Sequence, residues 1–147
     1  MNSIFDKGDN QSIIDRINTL TPDNVPLWGK MSVDQMLKHA NETIIVAFGE
    51  NQVKMNLVLK LLGKILKKKM LNSDFGENSP TAKEFIFTEN YNFDEAKSEL
   101  IKNFSRFTEG HQSITLMNHP FWGKMTYKDW DILMWKHINH HLKQFAV

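Results

Sequence analysis

The chain has 147 residues, a formal net charge of +1 and no cysteine, a size at which one domain can bury an adequate core without a staple. Disulfides, zinc–thiolate sites and a catalytic thiol are excluded, so any metal must be held by nitrogen and oxygen. The near-neutral charge gives no reason to expect nucleic acid as a partner. Residues 1–147 are therefore expected to form a single domain. The first ten residues carry Asp6 and Asp9 without a continuous apolar stretch, which reads as no secretory signal and a cytoplasmic protein.

Four or five helices follow in chain order. The first is expected from about Gln11 to Leu20, capped by Asp9 or Asn10, with Ile13, Ile14, Ile17 and Leu20 at helical spacing. The second begins after Ser32, places Val33, Met36, Leu37, Ala40, Ile44, Ala47 and Phe48 on one broad face and stops at Gly49, with His39 on the flank of that face. The third lies in Lys54 to Leu71, a segment with six lysines and no acid that leaves −5 on the rest of the chain. Its apolar positions Met55, Val58, Leu62, Ile65 and Leu66 are expected to pack into the core beneath a solvated lysine face. Lys60, Gly63 and Lys64 break its apolar run well short of the ~20 residues of a membrane span.

A polar loop over 72–83 and a short extended stretch around Glu84 to Thr88 lead to a fourth helix. That helix starts at Asn92 or Asp94, runs through Ala96, Leu100, Phe104 and Phe107 and closes at Gly110. After a connection containing Pro120 and Gly123, Thr126 caps the last helix, Tyr127 to Phe145. The pattern is all-α, an antiparallel helical bundle. Leu27-Trp28-Gly29-Lys30-Met31-Ser32 before the second helix matches Phe121-Trp122-Gly123-Lys124-Met125-Thr126 before the last, so both helices start by the same device.

At about 100° per residue, Trp130, Leu133, Met134, His137, His141 and Gln144 point within roughly 50° of one direction on the last helix. An imidazole buried there without a partner would cost about 1–3 kcal/mol. Each histidine must therefore meet a carbonyl or water, or the pair must share a divalent ion. If the two capped ends lie together, His39, His137 and His141 fall within roughly 12 Å along the axis, close enough for three neutral imidazoles to hold zinc or nickel with an open position. His137 and His140 at i and i+3 are a second way to form the pair. Gln144 is placed to orient a ligand or touch substrate, whereas His111 and His119 fall outside the site. Glu42 turns about 60° away from His39 on the helix wheel, so no general base stands out.

The segments 119–126 and 136–145 with Trp130, and 28–39, resemble the signature of a branch of the DinB-like (YfiT-like) superfamily catalogued as a domain of unknown function of the DUF1569 type. The resemblance covers most of the chain. It implies a four-helix bundle, here with an additional basic amphipathic helix. It also implies a divalent metal held by one histidine of the second helix and an H-x-x-x-H pair of the last, carried here by His39, His137 and His141, with Gln144 at the position of a glutamine that often follows the pair. Characterised relatives include thiol-dependent S-transferases and a mycothiol-dependent isomerase, so the resemblance implies a small-molecule substrate such as a low-molecular-weight thiol, and metal activation of a thiol or water. His140 inside the pair and the extra basic helix depart from the transferases.

Two functions are thereby expected to compete. One is a metal-dependent thiol S-transferase or hydrolase. The other is a non-catalytic helical module with structural histidines that docks an acidic partner or a membrane surface through the Lys54 to Leu71 helix. Related bundles often pair, which leaves a homodimer open.

Overall fold

The structure is a computed structural model that describes residues 2–147. It is mostly helical, with five α-helices, α1 (Lys7–Thr19), α2 (Val33–Ala47), α3 (Leu57–Asn72), α4 (Phe93–Ser105) and α5 (Tyr127–Gln144). The described residues add one small antiparallel ladder in which β1 (Asn118–His119) pairs with β2 (Gly123–Lys124). Helix α2 packs most extensively on α4, α1 lies against α4 and α5, and α2 also meets α5. The main core runs between these four, with Trp130, Phe104, Phe107, Phe145, Met36 and Leu100 fully buried.

Local chemistry sets the helix ends. Helix α1 starts a turn earlier than the apolar spacing predicts, because the Asp6 carboxylate accepts from Gly8 N and Asp9 N at 2.9 Å each and so satisfies the free amides of the first turn. Asn10, expected as a cap, is instead buried, and its Nδ2 donates to Ile4 O (2.9 Å) and Phe104 O (3.0 Å). The two matching segments end alike. Ser32 N donates to Gln35 Oε1 at 3.1 Å, while Thr126 N donates to Asp129 Oδ2 (2.9 Å) and Asp129 N to Thr126 Oγ1 (3.1 Å). Both preceding glycines turn with positive φ, +81° at Gly29 and +73° at Gly123. The stretch around Glu84 to Thr88 contains no strand; it opens with a 3₁₀ turn, Lys83–Phe85, that buries Phe85.

Helix α3 corrects the expectation most. It forms where the lysine segment lies, capped by Asn56 Oδ1 on Leu59 N (2.9 Å), and among the regular elements it packs chiefly on α5 and β2. The contact face is Leu59, Gly63, Lys67 and Met70. Gly63 and Met70 are buried, Leu59 packs on the satellite cluster of Val46, Met55 and Phe85, and Lys67 reaches the Asp129 carboxylate at 2.8 Å. Val58, Leu62, Ile65 and Leu66, expected inside, lie exposed. The reason is Gly63: its bare Cα lets the helix backbone approach the Phe121 carbonyl so closely that a methyl group there would overlap that backbone. This turns the richer apolar arc outward.

Gly63→Ala separates helix propensity from docking. In an isolated helix the change is worth about 1 kcal/mol of stability. Against the Phe121 backbone it is expected to destabilise the protein by about 1–3 kcal/mol, read as a lower urea midpoint; a raised midpoint would show that α3 does not depend on this approach.

Candidate metal centre

Helix α2 supplies His39 and, one turn later, Thr43; helix α5 supplies His137 and His141. His39 and His141 are buried and His137 is half-buried. One ring nitrogen of each lies within 4.8 Å of the others. His137 Nε2 stands 3.0 Å from His39 Nε2 and 3.2 Å from His141 Nε2. The structure thus brings the three expected histidines together and leaves His140 aside, its ring 5.2 Å from that of His141 and 5.5 Å from that of Trp28.

The opposite edges of the rings decide the chemistry. His39 Nδ1 is 2.8 Å from Phe85 O, and a carbonyl can only accept, so Nδ1 carries the proton. His141 Nδ1 is 2.9 Å from Gln144 Oε1; the Gln144 amide is oriented by its Nε2, which donates to Trp28 O at 2.7 Å. His137 Nδ1 is 3.3 Å from Thr43 Oγ1, whose own proton goes to Ala40 O at 2.8 Å. Each neutral ring therefore donates from Nδ1, and all three bare Nε2 lone pairs converge.

Protonation does not relieve the cluster readily. Burial holds His39 below the ordinary imidazole value. Burial, with His141 and His39 close by, holds His137 far below it. Burial, with His39 nearby, pushes His141 down to about 3. Three neutral nitrogens without protons between them cannot hydrogen-bond one another, and leaving each unsatisfied costs about 1–3 kcal/mol. A cation removes that cost. Ligands about 2.0–2.1 Å from one ion stand roughly 2.9 Å apart at right angles and roughly 3.4 Å apart at tetrahedral angles, and the two separations from His137 Nε2, 3.0 and 3.2 Å, fall in that interval, with the ligand atoms of all three residues within 4.8 Å of one another.

The supports were less visible in the sequence than the rings. Thr43 follows His39 by four residues, so helical spacing alone could have placed it beside the site. The Phe85 carbonyl gives no such signal. Phe75 lies edge-on to both His137 (6.1 Å) and His140 (5.9 Å). Two buried polar atoms near these supports, Trp28 Nε1 and Glu84 Oε2, have no hydrogen-bond partner among the described residues. Gln144 is held on three sides, since its backbone carbonyl also accepts from Leu27 N at 2.7 Å. A Cβ on Gly29 would come within 2.7 Å of Gln144 Nε2. Of the remaining acids and histidines, Glu42 accepts from Asn51 Nδ2, His111 stacks on Tyr127 (4.9 Å), and His119 Nδ1 accepts from Phe121 N (3.0 Å) and Trp122 N (3.1 Å).

A family model described as "Protein of unknown function (DUF1569)" matches residues 4–147. No curated protein and no solved structure matches the chain.

His119 makes the fold acid-sensitive. As a double acceptor it must stay neutral, and burial pushes it down to about 3, below the unfolded value of about 6.5. The unfolded state therefore binds the extra proton first. The stabilisation is fully present above about pH 6.5 and drains away toward pH 3, by up to about 1.4 kcal/mol per pH unit. His119→Asn keeps an acceptor for the same two amides without titrating. Urea unfolding at pH 7 and pH 5 is expected to show a smaller loss of stability in the variant than in the parent; equal losses would clear His119 of this role.

Proposed function

The chain belongs to the DUF1569 family, and we propose that it is a metal-dependent enzyme in which His39, His137 and His141 hold one divalent ion through Nε2. Convergence of three unprotonated nitrogens whose partner nitrogens are all engaged is the single observation that carries this reading. Neutral imidazole suits zinc or nickel. The fold it implies is one domain over 1–147, a four-helix bundle of the DinB-like (YfiT-like) type made by α1, α2, α4 and α5, with α3 as the added basic helix. The pairwise packing of those four helices supports it.

Such an ion supplies Lewis acidity that lowers the pKa of a bound thiol or water and so generates a nucleophile near neutral pH. The protein's own groups do the rest. The Phe85 carbonyl, Thr43 and Gln144 fix the tautomers and the ring planes, a role that outer partners of metal-bound histidines commonly fill. An ion with three protein ligands keeps a fourth coordination position, which a substrate would take. Trp28 Nε1, buried without a partner beside His140, is a donor available to a polar group of that substrate. The reaction class is transfer to, or hydrolysis by, an activated low-molecular-weight thiol or water.

Protein purified without an affinity tag is expected to hold about one zinc or nickel ion per chain by elemental analysis. His137→Ala is expected to abolish tight binding while the helical circular dichroism persists; stoichiometric metal retained by this variant would overturn the ligand assignment.

The support chain is tested separately. Gln144→Ala, which frees His141 Nδ1, and Gly29→Ala, which pushes against the Gln144 amide, are each expected to weaken metal affinity about 10–100-fold, measured by competition with a chromophoric chelator. Unchanged affinity in both would remove Gln144 from the site.

A further inference from the structure

The exposed arc of α3 is the largest feature the metal reading leaves unused. Leu57, Val58, Leu61, Leu62, Ile65 and Leu66 face outward, with Leu57 71%, Val58 73% and Ile65 76% exposed. At about 100° per residue the six fall within one half-turn of the helix wheel and run for about 15 Å along the axis. A contiguous apolar patch on the order of several hundred Å² on a monomer marks an interaction surface.

The charge around it is one-sided. Between residues 51 and 73 there are six lysines and no carboxylate. Lys67 is engaged by Asp129 and the Lys124 carbonyl. Lys54, Lys60, Lys64, Lys68 and Lys69 are exposed and make no ion pair among the described residues. Lys60 and Lys64 edge the apolar arc on one side, and Lys68 and Lys69 close its C-terminal end. Below the same edge lies a cleft of about 470 Å³, with Lys54, Lys60 and Lys64 among its walls and Leu116 and Phe121 in its apolar lining.

We infer that α3 is an interfacial helix that seats the protein on an anionic lipid surface, the apolar arc entering the acyl boundary and the lysines meeting the phosphate headgroups. The length, the purely apolar outward arc and the cationic border are those of a helix that lies in the plane of a membrane surface. No helix of the described residues is long and apolar enough to cross one. A second copy of the chain is a poorer occupant, because pairing α3 with α3 would bring eight unpaired ammonium groups together with no acid on either helix. The inference is independent of the metal.

The test is co-sedimentation with vesicles of equimolar phosphatidylglycerol and phosphatidylcholine, against vesicles of phosphatidylcholine alone. Binding to the anionic vesicles is expected at about 0.05 M salt and should fall at least about tenfold at about 0.5 M. Lys60→Glu with Lys64→Glu is expected to lower it about tenfold or more, and Leu61→Gln with Ile65→Glu to abolish it. These positions are exposed, so circular dichroism should be unchanged; His137→Ala should still bind. No binding to anionic vesicles at low salt, or equal binding to both vesicle types, would overturn the inference. So would a dimer, seen by light scattering, that Ile65→Glu dissociates, since that would give the face to a second copy. None of these results would touch the metal content of the parent protein.

Discussion

Three N–H groups fixed by three acceptors organise the centre of this protein. Phe85 O, Thr43 Oγ1 and Gln144 Oε1 each take the Nδ1 proton of one histidine, and with those protons fixed the other nitrogens have nowhere to find one. The core then has two helices facing each other across a cluster of lone pairs in a low-dielectric interior, where an unpaired polar atom is at its most expensive. Leu116 ties α2 to α5 beside this arrangement, its N donating to Ala47 O and its carbonyl accepting from the buried Trp130 Nε1, while Phe48, Phe104 and Phe107 pack the end of α2 against α4.

The acceptors come from unlike places, and each constrains the fold differently. Thr43 is part of the helix that carries His39, so it follows from α2 itself. The Phe85 carbonyl depends on a 3₁₀ turn that buries an aromatic ring against Val46 and Met55, which ties the loop between α3 and α4 to the centre. Gln144 depends on the turn at Gly29, where the absence of a side chain leaves room for the amide. A backbone position, a hydroxyl and an amide thus converge from segments that are distant in sequence.

The sequence made much of this legible. Both capped starts, at Ser32 and Thr126, and the ends at Gly49 and Gly110 were readable because caps and positive-φ glycines are local devices. The three histidines were readable because period and spacing place side chains on a face. What was not readable depends on contacts between segments. The Phe85 carbonyl has no side-chain signature. Asp6 does not stand out as a cap because the apolar period of α1 begins only at Ile13. The buried face of α3 has no periodic signature because nearly its whole circumference is apolar or lysine; the steric demand of the Phe121 backbone selects it through Gly63.

Gln144 joins two parts of the molecule that are distant in sequence. One residue accepts from Leu27 through its main chain, donates to Trp28 through its amide nitrogen and steadies His141 through its amide oxygen. The segment around Trp28 therefore cannot swing away from the end of α5 without releasing an imidazole from its tautomer. Displacing that segment and freeing His141 Nδ1 from its acceptor are mechanically one event, so the grip on any ion the three histidines were to hold would slacken as the Trp28 segment moved.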